Sequence, residues 1–238
     1  MFKFCALFLR REHENEKSGV AVKVAGRAMR EEFRKEVARK TVHFFGGLAV
    51  AIICFLIPDW LYMPFSACFA VFIAFLFYLE CLRFHGCLSL PMLRSDEHKN
   101  IGGHVFFFLG AFICVLIFPK SIAVASILML SAGDAASGVA FAAISEQKSN
   151  NPPYQKPFLV MFIMFIVSFI AGCTFFCLIH HPFSVIFALS GAIGATIADS
   201  FPIRIFNYRI NDNITIPLLA GSLMLLLRFA FFSGLRFI

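Results

Sequence analysis

The sequence predicts an all-α fold, a polytopic integral membrane bundle of about seven transmembrane helices, and three observations lead there. Of its 238 residues 60% are hydrophobic and the mean hydropathy is +0.82, more apolar surface than one soluble core can enclose and still cover with polar groups. Apolar runs recur at 44–57, 61–79, 103–118, 121–144, 158–179, 183–206 and 214–232, most of them near the ~20 residues that a tilted helix needs to cross hydrocarbon. Basic residues alternate with those runs as the positive-inside rule requires: a cytoplasmic N-terminus leaves only Lys120, Arg228 and Arg236 of the 21 Lys and Arg on the far side.

Taken in order, residues 1–42 read as a basic, amphipathic segment on the cytoplasmic side, and 43–238 as the transmembrane domain. The stretch 1–9 is too short to span and lacks a small-residue cleavage site, so no signal peptide is expected, while 20–40 suits an amphipathic helix in the interface. Pro58-Asp59-Trp60 breaks the apolar pattern and reads as a tight connection between two antiparallel spans, with one bent or re-entrant segment as the competing reading. The later runs are rich in the 33 Phe, a side chain with no polar tip to satisfy in lipid. A net charge of +7 then needs no nucleic-acid partner, because most of the excess lies beside anionic lipid headgroups. The eight Cys fall mostly in or beside apolar runs, as small packing residues rather than a disulfide framework. Cys81, His85, Cys87 and His98 crowd one loop, but their spacing matches no zinc pattern.

Ionisable groups inside the runs are few, and each costs at least ~2.5 kcal/mol on insertion scales, so each asks for a partner, water or a task. Asp134 lies mid-run between Gly133 and Ser137-Gly138, small residues that allow a helix or a ligand to come close; a structural Asp paired with a hydroxyl or a cation is the plain alternative. Asp199 sits near the inner end of the sixth run, within reach of interfacial water. Asn211, Asp212, Asn213 and Thr215 open the seventh run, where such residues are ordinary caps, although a helix starting at Ile214 offers backbone N–H groups to an anion. The topology assigns Asp134, Asp199 and Asp212 to one inner half, and hard oxygen ligands of this kind suit Mg²⁺. Arg39, Lys40 and His43 stand at the mouth of the first run, with Arg39 and His43 on one helical face, a pattern that a plain cytoplasmic anchor also shows. Cations and carboxylates meeting in an inner cavity suit a nucleoside triphosphate and its metal. Phosphate-loop, kinase glycine-loop, zincin and serine-hydrolase motifs are all absent from the sequence.

Four patches, spanning most of 36–220, resemble the CTP-dependent lipid-alcohol kinases, the group of dolichol kinase, phytol kinase and diacylglycerol/polyprenol kinases. Glu36-Val-Ala-Arg39-Lys40-Thr-Val-His43 resembles the family's Glu-x-x-Arg-Lys-x-x-His, and Glu80-Cys-Leu-Arg83 its acidic and basic pair after the second span. Gly133-Asp134-Ala-Ala136-Ser137 resembles Gly-Asp-x-x-Ala-Ser, and Asp212-Asn213-Ile-Thr215-Ile-Pro217 resembles Asp-Asn-Leu-Thr-x-Pro, the most specific of the four. The chain departs from the pattern in keeping only Lys156 of Lys-Ser-x-Glu-Gly, in replacing a Gly-rich stretch by 139–143, and in carrying Asp199 where the family has Glu. The resemblance therefore implies a diverged kinase that moves the γ-phosphoryl group of CTP onto the hydroxyl of a membrane lipid alcohol. It further implies Mg²⁺ held by Asp134 and Asp212, phosphates met by Arg39, Lys40 and Lys156, and a nucleotide site shared by Gly133, Asn213 and Thr215. The hydroxyl proton would go to His43 or Asp199. Two other readings stand beside it: a phosphatidate cytidylyltransferase-like enzyme, which also joins CTP, Mg²⁺ and a lipid, and a transporter using the intramembrane carboxylates as an ion path.

Overall fold

The computed structural model describes residues 30–88, 100–147, 156–205 and 208–234, which form seven helices and one small hairpin. Helix α1 covers Arg30–Leu56. It stops where Pro58 disfavours helical geometry in the residue before it. A short 3-10 turn at Asp59–Leu61 leads into α2, Tyr62–Phe84, so the Pro58-Asp59-Trp60 break is a tight connection between two helices. Lys120 clamps that turn, donating to the Ile57 carbonyl and, at 3.1 Å, to Asp59 Oδ1. Helices α3 (Gly103–Ile117), α4 (Lys120–Gln147), α5 (Phe158–Leu178) and α6 (Ser184–Ser200) follow. Strands β1 (Arg204–Ile205) and β2 (Tyr208–Arg209) pair antiparallel before α7, Asp212–Gly234.

Two helices end in the same way with different residues. At the end of α2, Cys87 N–H bonds the Leu82 carbonyl and Gly86 N–H the Arg83 carbonyl, the paired bonds of a Schellman cap with Gly86 at φ +75°. At the end of α5, His181 N–H bonds Phe176 and His180 N–H bonds Cys177, but the left-handed position, φ 53°, is held by His180.

Helix α4 is the centre of the bundle. It touches α3, α5, α6 and α7, while α5 packs on α6, α6 and α3 pack on α7, and α2 lies outermost against α3. From Ile122 to Leu130 nearly every α4 residue is buried, as expected of a helix that is apolar all round. Outside, Leu56, Val71, Phe158 and Leu226 are more than half exposed, and such a belt finds its solvent in lipid.

The all-α membrane bundle expected from the sequence is present, with seven helices, and three details of helix length and boundary differ. Five helices are long and apolar enough to cross a membrane, whereas α3 has 15 residues and α6 has 17. At 1.5 Å per residue α3 is only about 22 Å long, short of a hydrocarbon core of about 30 Å. The run 183–206 overstated α6, which ends at Ser200, before strand β1 at Arg204–Ile205. Helix α1 begins well before 44, since charged residues that hydropathy discounts are good helix formers, and the boundary drawn between 42 and 43 falls inside this unbroken helix. Expectations for residues 1–29, and for Arg94, His98, Lys99 and Lys148, lie outside the described residues.

Candidate functional site

Lys40 enters the bundle from the first half of α1, with its Nζ 2.5 Å from Asp134 Oδ1 of α4, and both residues are buried. Glycine at 138, one turn beyond Asp134, keeps that route open: a Cβ there would overlap the lysine stem and stand 3.0 Å from Nζ. Asp134 Oδ2 is buried and has no hydrogen-bond partner. One turn along α1, the buried His43 ring lies 4.8 Å from that of Phe107, and its Nδ1 is also without a partner.

A second pair repeats the arrangement at the ends of α5 and α6. Lys156 precedes the α5 cap residue Pro157, and its Nζ lies 2.5 Å from Asp199 Oδ1. Asp199 is buried, its Oδ2 unpartnered, as is the neighbouring Ser200 Oγ. The two pairs form one electrostatic unit: Asp134 feels the charges of Lys156 and His43, and Asp199 feels those of Asp134 and Asp212. Asp199 thus links the other two carboxylates. A buried ion pair rarely adds stability over an apolar pair of equal volume, while losing one partner strands a charge in low dielectric.

The other expected residues are placed differently. Arg39 forks onto Glu36 of its own helix, with Nη2 to Oε1 at 2.6 Å. Gly133 faces α5, where a Cβ would stand 2.7 Å from Met164 Sδ, so close helix packing accounts for it. Asn213 and Pro217 have structural tasks as well. Asn213 Nδ2 donates to the Gly103 carbonyl at 3.1 Å, and Pro217 has no N–H for the Asn213 carbonyl four residues back, which lies instead against Gly110 of α3. Thr215 is buried, its hydroxyl 3.4 Å from the Asp212 carbonyl.

The start of α7 overturns one expectation. The helix begins at Asp212, and its first amides are already engaged: Asn213 N–H by Asn211 Oδ1 at 3.0 Å, Ile214 N–H by the Asn211 carbonyl at 3.0 Å and Thr215 N–H by the same oxygen at 3.3 Å. Asn211 is an N-cap, and the N–H groups expected to meet a phosphate are occupied.

Among the described residues no three His, Cys, Asp or Glu side chains gather as a metal site, and His85 Nδ1 lies 2.8 Å from the carbonyl of Cys81 and 3.8 Å from its Sγ. Mg²⁺ commonly takes one or two carboxylates and completes its octahedron with phosphate oxygens and water. The Oδ2 atoms of Asp134 and Asp199, buried and without a partner, are carboxylate oxygens of the kind such a site uses.

Sequence reasoning singled out Glu80 and Arg83 as a pair but not the knot around them. Glu80, 2% exposed, accepts from Arg83 Nη2 at 2.5 Å and from Gly102 N–H at 3.2 Å, and its Oε1 lies 3.5 Å from His104 Nε2. Arg83 also donates to the Asn100 carbonyl at 2.7 Å, so the knot ties the end of α2 to the start of α3. An acid and a base three apart at the end of an apolar run was the available signal. Compared with family models, curated proteins and solved structures, the chain matches none of them.

Proposed function

We propose that this chain is a CTP-dependent kinase that phosphorylates the hydroxyl of a membrane lipid alcohol, with its N-terminus and its site on the cytoplasmic side. One observation carries the reading: two lysine–carboxylate pairs drawn from patches far apart in sequence, Lys40–Asp134 and Lys156–Asp199, hold buried carboxylates whose Oδ2 atoms have no partner, with the buried His43 one turn from Lys40. Such a cluster is costly in lipid and is expected where charged substrate is handled.

Phosphoryl transfer is largely a matter of positioning and charge stabilisation. Mg²⁺, when bound, would neutralise phosphate charge from the free oxygens of Asp134 and Asp199. Lys40 and Lys156, each now on a carboxylate, are the cations placed to exchange that partner for phosphate oxygens. The His43 Nδ1, buried and without a partner, is suited to take the hydroxyl proton as the lipid oxygen bonds to phosphorus and CDP departs. The acceptor is a diacylglycerol, polyprenol or phytol-like alcohol, the substrates that the resemblance implies.

Purified protein incubated with γ-labelled CTP, Mg²⁺ and a panel of these alcohols tests the proposal. Labelled lipid phosphate with CDP release is the expected result. Pyrophosphate with a CDP-lipid would mean cytidylyl transfer, and nucleotide-independent solute uptake into vesicles without label transfer would mean a transporter.

A further inference from the structure

Glu80 closes the knot at the end of α2 with one oxygen left over. Its Oε2 takes Arg83 Nη2 at 2.5 Å and the Gly102 N–H at 3.2 Å, while Oε1, equally buried, has no hydrogen-bond donor and faces His104 Nε2 at 3.5 Å. A buried carboxylate oxygen without a donor is costly. That cost falls when His104 carries a proton, because an imidazolium beside a carboxylate makes a charge-assisted hydrogen bond. The ring is built into this place. Glycine at 102 admits it, since a Cβ there would stand 2.6 Å from the ring Cε1 and 2.7 Å from Nδ1.

From this seat His104 neighbours the candidate site. It lies one turn before Phe107 on α3, and residues three apart share a helical face. Phe107 is the residue whose ring packs 4.8 Å from that of His43, and His43 feels the charge of His104 as well as those of Asp134, Lys40 and Arg39. The two imidazoles differ in their access to water: His43 is 6% exposed, whereas the His104 side chain is 32% exposed. A buried base that takes a proton in each turnover must lose it before the next. The exposed ring is where water can collect that proton.

We propose that His104, held by Glu80, is the relay that carries the substrate proton from His43 to water. The inference rests on the kinase reading. As the lipid oxygen bonds to phosphorus and the bond to CDP breaks, the hydroxyl proton passes to His43. The His43 imidazolium hands it to neutral His104, and His104, its charge matched by Glu80, releases it to water, so both rings end the cycle neutral. No further reactant is needed. His104 acts through His43 and does not touch substrate.

Turnover of the full chain in bilayers, followed with γ-labelled CTP, Mg²⁺ and a lipid alcohol in weakly buffered solution, tests the relay, and unfolding midpoints establish that each variant is folded. His104→Ala should lower kcat by about tenfold or more with little change in KM for CTP. Added imidazole should restore that rate in a saturable way and leave the parent unaffected. His104→Gln, which keeps a hydrogen-bond donor for Glu80 but cannot carry a proton, should be as slow as His104→Ala. A purely structural histidine predicts the reverse, with the Gln variant near the parent and no rescue by imidazole. Parental turnover in His104→Gln, or a loss in His104→Ala that imidazole leaves untouched, would overturn the relay while the active parent upholds the kinase. A parent that transfers no label would instead remove the kinase reading, and the relay with it.

Discussion

The two ends of the bundle handle charge in opposite ways. Where α1 starts and α6 ends, Lys40, Glu80, Asp134 and Asp199 are buried and matched in ion pairs, and His43 is buried one turn from Lys40. Where α3 gives way to α4 and α5 to α6, the described ion pair is Lys120 with Asp59, whose side chain is 91% exposed. Aromatic rings dominate that second end: Phe176, His181, Phe183, Phe187 and Phe231 line a cavity of about 210 Å³ with Arg228 at its wall. A fold selected only for stability would resemble the second end, because dehydrating ion pairs gains little and risks stranding a charge. The first end carries that risk in three pairs, Lys40–Asp134, Arg83–Glu80 and Lys156–Asp199, and the proposed chemistry is placed there for this reason.

The sharpest way to break the contrast is Asp134→Asn. Turnover of CTP into lipid phosphate should fall by at least about 100-fold, the scale of losing one charge-stabilising group in a low-dielectric site. The same change strands the Lys40 ammonium, at a cost of about 3–5 kcal/mol. Lys40→Met combined with Asp134→Leu should recover most of that stability in a thermal unfolding assay and none of the activity. Recovery of both would make the pair purely structural.

A smaller effect is expected at the second pair. The Lys156 side chain is 20% exposed against 7% for Lys40, so the second pair is the more hydrated and its attraction the more screened. Lys156→Met should cost about 1–3 kcal/mol, less than Lys40→Met in the same assay. Equal losses would mean that both pairs are equally dry.

Smaller still is the contrast between the two Schellman caps. Gly86 holds its left-handed position without strain, whereas His180 carries a Cβ there. His180→Gly should stabilise by about 0.5–1 kcal/mol, and Gly86→Ala should destabilise by a similar amount. Paired unfolding midpoints of the two variants check the signs.

Much of the candidate site was legible because intramembrane charge is exceptional: Asp134 and Asp199 stand out in any apolar run. Their partners were not, since Lys40 and Asp134 are 94 residues apart and nothing in a linear pattern says that α1 touches α4. The helical order of the bundle was legible from hydropathy, but helix ends were not. Charged residues hid the start of α1, and apolar residues after Ser200 extended the run beyond the end of α6. Gly133, Asn213 and Pro217 show a different limit: close packing and released carbonyls leave the same residue types as a ligand site would.

The mildest prediction concerns pH at the aromatic end. His181 lies in the turn after α5, its ring 5.4 Å from that of Phe176 and 4.7 Å from that of Phe187, while its Nδ1 accepts the Phe183 N–H at 3.3 Å. Burial, and secondarily the charge of Arg228, holds its pKa below the ordinary value of 6.5. The folded state therefore favours neutral imidazole, and the unfolded chain takes up the proton first as pH falls. By linkage this contribution is fully present above about pH 6.5 and is lost on acidification below it. His181→Phe keeps the ring contacts but cannot be protonated, so its unfolding midpoint should fall less than that of the parent between pH 7.5 and 5.5. Because the ring is only half-buried, this should be the smallest of the effects, and midpoints that fall in parallel would assign the acid sensitivity to the buried pairs at the other end.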